Sequence, residues 1–198
     1  MRNIKNSTPP FFQNSILSKM ICLKEITSTT QREYTLLSNL YEVSFPAEEK
    51  VDFQTLIGQE NTQTAQPRLF AILLKEMDKV VGLASIIDSH DFVFLFYLAT
   101  YEEVRGKGIG TEILSLIKKT YNKTIVLEVE LPENGIATRR IEFYKRNGFH
   151  LLPYFYKQPA LQEEMPEITM SIMSYPRTLT EKQFEKIKET IYTEAYKK

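Results

Sequence analysis

Three glycines stand at alternate positions in residues 105–110, Arg-Gly-Lys-Gly-Ile-Gly, between an apolar run and an amphipathic run. Residues 92–99 before them are almost wholly apolar, which predicts a strand buried on both faces of a sheet. Residues 111–121 after them carry an apolar stripe at helical spacing, formed by Ile113, Leu114, Ile117 and Tyr121. The glycines therefore lie where a central strand turns into the N-terminus of a helix.

This turn has the properties of an anion site. A helix N-terminus presents unpaired N–H groups and a partial positive charge, and residues without a Cβ let a phosphate approach the backbone closely. Arg105 and Lys107 add formal positive charge beside the amides of residues 106–111. A bare Gly-x-Gly is by itself typical of a simple turn. The buried strand, the two cations and the amphipathic helix that flank it favour a phosphate or pyrophosphate site instead.

The loop lacks the patterns of two common phosphate sites. No Gly-x-x-x-x-Gly-Lys-Ser/Thr sequence occurs in the chain, which excludes a P-loop. The position of the third glycine of a dinucleotide-binding turn, three residues after Gly108, holds Thr111. The sequence therefore gives little support to ATP or NAD as the ligand.

Composition limits the classes of partner. The 198 residues include 25 basic and 25 acidic side chains, so the formal net charge is zero and no overall field attracts nucleic acid or an anionic membrane. No apolar run reaches the roughly 18 residues of a membrane span. Cys22 is the single cysteine, which excludes an intramolecular disulfide and a cysteine-based zinc site and favours a cytoplasmic location. His90 and His150 show no ligand spacing, so we predict no metal and place both at the surface.

The length fits one domain with a distinct segment at each end. Residues 1–19 contain basic residues and two prolines but no acidic residue, which predicts a loose tail. Residues 20–175 form the predicted folded domain. Residues 176–198 contain a helix that packs on this domain or extends from it, and a capping box of Thr180 and Gln183 begins that helix.

Hydrophobic periodicity predicts strands and helices in the order β-α-α-β-β-β-α-β-α-β-β-α. The strands are expected at residues 20–26, 69–76, 80–87, 92–99, 124–131, 149–156 and 168–173. The helices are expected at residues 30–44, 48–57, 111–121, 139–147 and from residue 180 onward. A capping box of Thr30 and Glu33 is expected to begin the first helix. This order gives an α+β fold, a mixed central sheet with helices packed on its faces.

The loop and two other segments resemble the GNAT superfamily of N-acetyltransferases. The family signature Gln/Arg-x-x-Gly-x-Gly/Ala is matched by Arg105, Gly108 and Gly110. Residues 97–100 are similar to the family's fourth strand, in which a bulge frees backbone groups for the pantetheine arm and the thioester. Residues 142–149 resemble the family's helix-to-strand junction, in which a tyrosine faces the coenzyme sulfur. The resemblance covers roughly residues 20–175 and implies the GNAT fold.

The resemblance also implies that acetyl-CoA is the co-substrate, held by the strand and the turn. The residues expected to bind it are Leu98, Ala99, Thr100, Arg105, Gly106, Lys107, Gly108, Ile109, Gly110 and Thr111. Many relatives carry an asparagine seven residues before the tyrosine, where this chain has Ala137. Asn134 is the candidate to replace that contact.

Acetyl transfer to an amine needs a base for the amine, donors for the oxyanion and an acid for the departing thiolate. The resemblance gives the acid to Tyr144, although a tyrosine at helical spacing from Ile141 is also typical of a core position. A backbone N–H among residues 98–100 is expected to hold the oxyanion. Glu128 is the first candidate for the base and Glu130 the second, because the two lie about 7 Å apart on one strand face and repel each other. A solvated acidic strand face is the alternative.

The acceptor is expected to be an amine bound beside an aromatic and acidic segment. This segment contains Tyr154, Phe155, Tyr156, Gln158, Pro159, Glu163 and Glu164. It suits a small cationic amine, a peptide N-terminus or a lysine side chain, and a homodimer through an edge strand or the last helix is compatible with the sequence. The alternative functions are a non-catalytic acyl-CoA sensor and an interaction module, and the neutral charge gives the second little support.

Overall fold

The structure is a computed structural model and describes residues 20–58, 64–161 and 165–198. The predicted N-terminal tail, residues 1–19, and the acidic pair Glu163 and Glu164 lie outside the described residues. The described chain forms one eight-stranded sheet with helices packed on both faces. The predicted α+β fold class is therefore confirmed.

The sheet has the strand order β1-β2-β3-β4-β5-β8-β6, and β7 also pairs with β8. The strands are β1 (Ile21–Ile26), β2 (Pro67–Leu74), β3 (Lys79–Asp88), β4 (Phe92–Thr100), β5 (Thr124–Glu130), β6 (His150–Leu151), β7 (Tyr156–Gln158) and β8 (Ile168–Tyr175). All paired strands are antiparallel except β4 and β5, which run parallel. A parallel pair needs a crossover connection, and the glycine loop and the helix after it supply one.

Four α-helices cover the sheet within the described residues. They are α1 (Arg32–Ser44), α2 (Ile109–Tyr121), α3 (Gly135–Arg146) and α4 (Glu181–Glu194). Short 3₁₀ helices lie at Ala47–Glu49, Phe53–Leu56 and Glu102–Val104. None of the helices in the described part of the chain is both long enough and apolar enough to span a membrane.

The core lies in two layers because neighbouring residues of a strand face opposite sides of the sheet. Val93 and Leu95 of β4 pack with α2 and α3, whereas Phe94 packs with α4 on the other face. On β3, Ile87 packs with α4, and Leu83, four residues earlier on the same face, packs with α1. Helices α2 and α3 therefore cover one face of the sheet, and α1 and α4 cover the other.

One of the two predicted capping boxes is present. The Thr180 side chain and Gln183 form both reciprocal hydrogen bonds at the start of α4, as predicted. The box predicted at Thr30 and Glu33 is wrong, because Glu33 pairs with Lys24 of β1 at 2.7 Å. A contact across to the sheet replaces the local cap.

Two other segments differ from the prediction through local breaks. The helix predicted over 48–57 is two short 3₁₀ helices, because the Asp52 side chain accepts a hydrogen bond from the Gln54 N–H and begins a second turn. The strand predicted over 149–156 is divided into β6 and β7, with Pro153 between them. The chain thus gains one short strand over the predicted order.

Candidate active site

Strands β4 and β5 separate near the middle of the sheet. Their parallel pairing joins residues 92–94 to residues 124–126, whereas β4 continues to Thr100 and β5 to Glu130. A cavity of about 860 Å³ opens between the diverging ends. Its wall includes the predicted site residues Leu98, Ala99, Thr100, Arg105, Gly106, Glu128 and Tyr144. Lys107 and Gly108 precede α2, residues 109–111 form its first turn, and Glu130 ends β5.

Strand β4 carries a bulge at Phe96, which has no partner in β3. Beyond the bulge, the Tyr101 N–H donates to the Val81 carbonyl at 3.1 Å. Hydrogen-bonded pairs alternate along an antiparallel ladder, so the N–H groups of Leu98 and Thr100 point away from β3 and toward the cavity. The bulge lies just before the segment where the sequence placed it, and the free donors fall within the predicted residues 98–100.

The glycine loop presents a continuous row of free backbone donors. The N–H groups of residues 106–111 donate to no backbone carbonyl in the described structure. Gly106 (φ 72°) and Gly108 (φ 83°) adopt the left-handed conformation that residues with a Cβ avoid. A Cβ on Gly110 would lie 3.0 Å from the ring of Phe143. The turn and the packing of α2 therefore require the glycines, and the row of amides is free to bind an anion.

The two cations of the loop have different surroundings. The Arg105 guanidinium donates to the Thr100 carbonyl at 3.1 Å and pairs with Glu102 at 3.3 Å, so it ties the loop to the end of β4. Lys107 is exposed and has no ion-pair partner among residues 20–58, 64–161 and 165–198. Lys107 is thus the cation that is free to approach a ligand, and Arg105 holds the shape of the loop.

Tyr144 of α3 is both a packed ring and a free donor. It is 8% exposed, and its ring packs edge-on against Phe149 with the centroids 5.6 Å apart. The residue lines the cavity, and its hydroxyl forms no hydrogen bond with any described residue. Burial raises the pKa of Tyr144 to about 12. The phenol therefore stays protonated at neutral pH, and the core and catalytic interpretations of this tyrosine are compatible.

Two carboxylates from distant parts of the chain line the same cavity. Glu128 comes from β5, and Glu49 comes from the first 3₁₀ helix. Burial raises the pKa of Glu128 to about 7 against the opposing hydrogen bonds from Tyr156 and Tyr196, and the charge of Glu49 adds to the rise. Burial likewise raises the pKa of Glu49 to about 7, with the charge of Glu130 as the next cause. Both groups thus exchange protons near neutral pH.

Glu130, the second predicted base, is held in an ion pair. Arg140 of α3 donates to its carboxylate at 3.0 Å. The expected direct repulsion between Glu128 and Glu130 is not the cause of the raised pKa, because the charge next to Glu128 is that of Glu49. Sequence reasoning missed Glu49, since only the folded chain brings the segment after α1 beside β5. No local pattern marks it.

Asn134, the candidate for the missing asparagine contact, begins α3. Its side-chain oxygen accepts hydrogen bonds from the N–H groups of Ile136 and Ala137 at 2.9 and 2.8 Å. This cap moves the start of the helix to Gly135 from the predicted Arg139. The oxygen of Asn134 is therefore committed to the helix.

A second cavity, of about 1180 Å³, lies on the other side of Phe96, which lines both cavities. Tyr196, just after α4, lines it as well. The aromatic segment predicted to shape the acceptor site is divided in the structure. Tyr154 and Tyr156 pack with α4 in the core, whereas Phe155 is 72% exposed. Among the residues predicted for that segment, Gln158 lines the first cavity, and none of those that the structure describes lines the second.

Cys22 and the two histidines lie away from the cavity. Cys22 is half-buried on β1, at the edge of the sheet. His90 and His150 are exposed, as predicted. Within the part of the chain that the structure describes, no group of three or more His, Cys, Asp or Glu side chains is placed to hold a metal ion.

Known proteins share this fold and this sequence pattern. A family model, Acetyltransferase (GNAT) family, matches residues 34–149, which is more than half of the chain. A solved structure from Bacteroides thetaiotaomicron, assigned as a GNAT-family acetyltransferase, is 27% identical with a TM-score of 0.79, over 88% of this chain and 98% of its own.

Two further matches are more distant or shorter. A GNAT-family acetyltransferase from Elizabethkingia anophelis, solved with acetyl-CoA bound, is 18% identical with a TM-score of 0.52 and covers 78% of this chain and 96% of its own, which shows likeness of fold. YjbC of Bacillus subtilis (strain 168), assigned as an acetyltransferase, is 37% identical over 73 residues. That match covers 35% of this chain and 38% of YjbC, little more than a third of either protein.

Proposed function

Because this chain belongs to the acetyltransferase (GNAT) family, we propose that it transfers the acetyl group of acetyl-CoA to a primary amine by direct attack of the amine in a ternary complex. One observation carries the proposal. A single cavity between β4 and β5 joins free backbone donors, the hydroxyl of Tyr144 and two carboxylates with pKa values near 7. These are the groups that amine acylation requires.

The chain offers matching groups for acetyl-CoA, the acyl donor of this family. The N–H groups of residues 106–111 and the exposed Lys107 suit its pyrophosphate. The inward N–H groups of Leu98 and Thr100 suit the polar groups of the pantetheine arm and the thioester. Bound there, acetyl-CoA supplies an activated acetyl group.

Glu128 and Glu49 are suited to bind an ammonium group and to remove its proton. A primary ammonium such as that of lysine has an ordinary pKa of about 10.4 and must lose a proton before its nitrogen attacks. A base is most effective when its pKa lies near the working pH, which holds for both carboxylates. The charge of Glu49 also raises the pKa of Glu128, so a proton on Glu49 favours the charged form of Glu128. One keeps a negative charge near the amine while the other carries the proton.

Once Glu49 has taken the proton of the ammonium group, the neutral amine nitrogen forms a bond to the carbonyl carbon as the carbon–sulfur bond breaks, and Glu128 takes the second proton, which the nitrogen loses as the amide forms. The free N–H of Leu98 or Thr100 stabilises the negative charge that develops on the carbonyl oxygen. Tyr144 donates a hydrogen bond to the departing sulfur. A phenol with a pKa of about 12 keeps its proton beside a thiolate, since the ordinary pKa of a thiol is about 8.5, so we revise the acid role expected for Tyr144 to that of a hydrogen-bond donor. The thiolate then takes its proton from solvent.

The acceptor is a small-molecule amine or the amine of a peptide. The two carboxylates favour an amine that arrives as a cation. The second cavity meets the first at Phe96 and offers room for the rest of the acceptor. We therefore expect the acceptor to bind on the side of β4 where α1 and α4 pack.

Binding and turnover test the proposal separately. Acetyl-CoA is expected to raise the melting temperature of the protein, whereas NAD and ATP at the same concentration are not. Thiol release over a panel of polyamines, amino acids and peptides then identifies the acceptor. A shift with NAD alone would contradict the coenzyme assignment. A shift with acetyl-CoA but no thiol release with any amine would indicate a non-catalytic acyl-CoA sensor.

A further inference from the structure

Both carboxylate oxygens of Glu128 accept a hydrogen bond from a tyrosine. Tyr156 of β7 donates to Oε1, and Tyr196, just after α4, donates to Oε2 at 2.5 Å. The two tyrosines come from different elements, and neither is close to Glu128 in sequence. The carboxylate is thus held from two sides while it lines the cavity.

The rings of both tyrosines are fixed by packing. Tyr156 is 1% exposed and Tyr196 is 7% exposed. The Tyr196 ring packs edge-on against Phe96, with the ring centroids 5.7 Å apart. The ring centroid of Tyr192 lies 5.9 Å from that of Tyr156 and 6.5 Å from that of Tyr196. These four rings form one aromatic layer. A ring already held in this layer loses little further freedom when its hydroxyl binds. The two phenols therefore hold the carboxylate in one orientation.

Other tyrosines of the same hydrophobic cluster bind backbone carbonyls instead. Tyr154 donates to the Leu179 carbonyl at 3.1 Å, and Tyr192 donates to the Lys157 carbonyl at 2.5 Å. A carboxylate is a costlier partner for a buried phenol than a backbone carbonyl is, because burial disfavours the charged form of the carboxylate. The packing of these aromatic rings alone does not require a carboxylate. The use of Glu128 as the shared acceptor therefore indicates a role for its charge.

We propose that Tyr156 and Tyr196 are positioning residues for acetyl transfer, which hold the Glu128 carboxylate toward the cavity and leave its remaining lone pairs for the proton of the acceptor amine. This inference rests on the proposed function, in which Glu128 is the base. Each carboxylate oxygen has two lone pairs, so one hydrogen bond to each oxygen leaves one lone pair on each free. Hydrogen bonds to the charged form also favour that form. The phenols thus lower the pH at which Glu128 becomes able to accept a proton.

The groups that face Glu128 come from each element packed around it. They are Tyr97 of β4, Tyr156 of β7, Tyr192 of α4, Tyr196 after α4, Glu49 of the first 3₁₀ helix and the apolar Ile172 of β8. Burial, together with the charge of Glu128, raises the pKa of every one of these phenols, so they remain protonated donors. Glu130 and Arg140 form an ion pair with each other, and their charges act on Glu49. Loss of one donated hydrogen bond should therefore raise the pKa of Glu128.

Tyr196→Phe tests this inference, because it removes one hydroxyl and keeps the ring. The acid limb of its kcat/KM profile is expected to move up by about one pH unit, so that activity near pH 6.5 falls about tenfold and returns near pH 9. Tyr156→Phe, which acts on the other oxygen, is expected to move the limb in the same direction. The matched control is Tyr154→Phe, because its hydroxyl binds a backbone carbonyl and its ring packs in the core rather than in the wall of either cavity. The acid limb of its profile should therefore stay where that of the wild type lies.

Carbon-13 NMR with glutamate labelled at Cδ measures the titration of Glu128 without catalysis. Glu128→Gln assigns the signal, and its midpoint is expected to rise in both Tyr196→Phe and Tyr156→Phe. If one variant fails to fold by circular dichroism, the other decides. An unchanged profile and an unchanged midpoint in the folded variants would overturn the inference. A raised midpoint in a protein that transfers acetyl to no amine would uphold the coupling between phenols and carboxylate and overturn the proposed function.

Discussion

Replacement of Glu128 by glutamine should change how the stability of the protein depends on pH. Burial raises the pKa of Glu128 from 4.5 to about 7, so the folded protein binds this proton more tightly than the unfolded chain does. The resulting contribution to the free energy of unfolding is complete below about pH 4.5 and is lost as the pH rises through about 7. Glutamine has no proton to lose, so Glu128→Gln lacks this decline.

The size of the effect follows from the difference between the two pKa values. At about 1.4 kcal/mol per unit, a rise from 4.5 to about 7 corresponds to about 3 to 4 kcal/mol of unfolding free energy. The cavity admits solvent to one side of Glu128, which reduces the effect to about 2 to 3 kcal/mol. Glu49 titrates in both proteins, so its contribution largely cancels. Between about pH 5 and 8, the unfolding free energy of the wild type should therefore fall by about 2 to 3 kcal/mol more than that of Glu128→Gln.

Urea unfolding followed by circular dichroism measures the effect, since the chain has no tryptophan. Glu142→Gln is the matched control, because it removes a half-exposed carboxylate that pairs with Lys145 on α3. Its pH dependence should follow the wild type. Parallel curves for Glu128→Gln and the wild type would refute the raised pKa of Glu128 and remove the reason for choosing it as the base.

Three further predictions test other parts of the site and the fold. Tyr144→Phe should lower kcat and kcat/KM about 10- to 1000-fold with little change in acetyl-CoA affinity, because only the hydroxyl is lost; full activity in the thiol-release assay would refute the hydrogen bond to sulfur. Gly108→Val should weaken acetyl-CoA binding more than Lys107→Ala does, because φ at Gly108 is 83° and backbone N–H groups form the site. Equal or reversed losses in titration calorimetry would indicate a site dominated by charge. Thr180→Ala removes the capping box of α4 and should lower the free energy of unfolding by about 1 kcal/mol without changing acetyl-CoA affinity. Unchanged stability in urea would show that this cap does not stabilise the helix.

The fold could be predicted where its signals are local. The glycines of residues 105–110, the apolar strand before them and the amphipathic helix after them specify the central crossover of the sheet within a short stretch. The cap at Thr180 is local in the same way. The cap expected at Thr30 fails because Glu33 is drawn to Lys24 of β1. Sequence spacing cannot reveal a competing partner that only the tertiary fold supplies.

The backbone donors and the carboxylates of the cavity also differ in how local their sequence signals are. The backbone donors of the coenzyme side lie in nearly contiguous sequence, so their pattern indicated their chemistry. Glu49, Tyr156 and Tyr196 reach Glu128 only after separate segments have packed together. A raised pKa for Glu128 could be expected from an acidic strand face. Its cause could not, because burial and Glu49 produce the rise rather than the neighbouring Glu130.

A rapid-quench single turnover with acetyl-CoA labelled in the acetyl group, once an accepting amine is known, measures direct transfer in this cavity. Mass spectrometry follows the amine, the free thiol and the intact protein in the same samples. If the amine attacks the thioester directly, the labelled amide and the free thiol form at one rate, the protein never carries the label, and Glu128→Gln slows both products equally. Thiol release without a labelled amide, or a labelled protein that appears before the product, would contradict direct transfer.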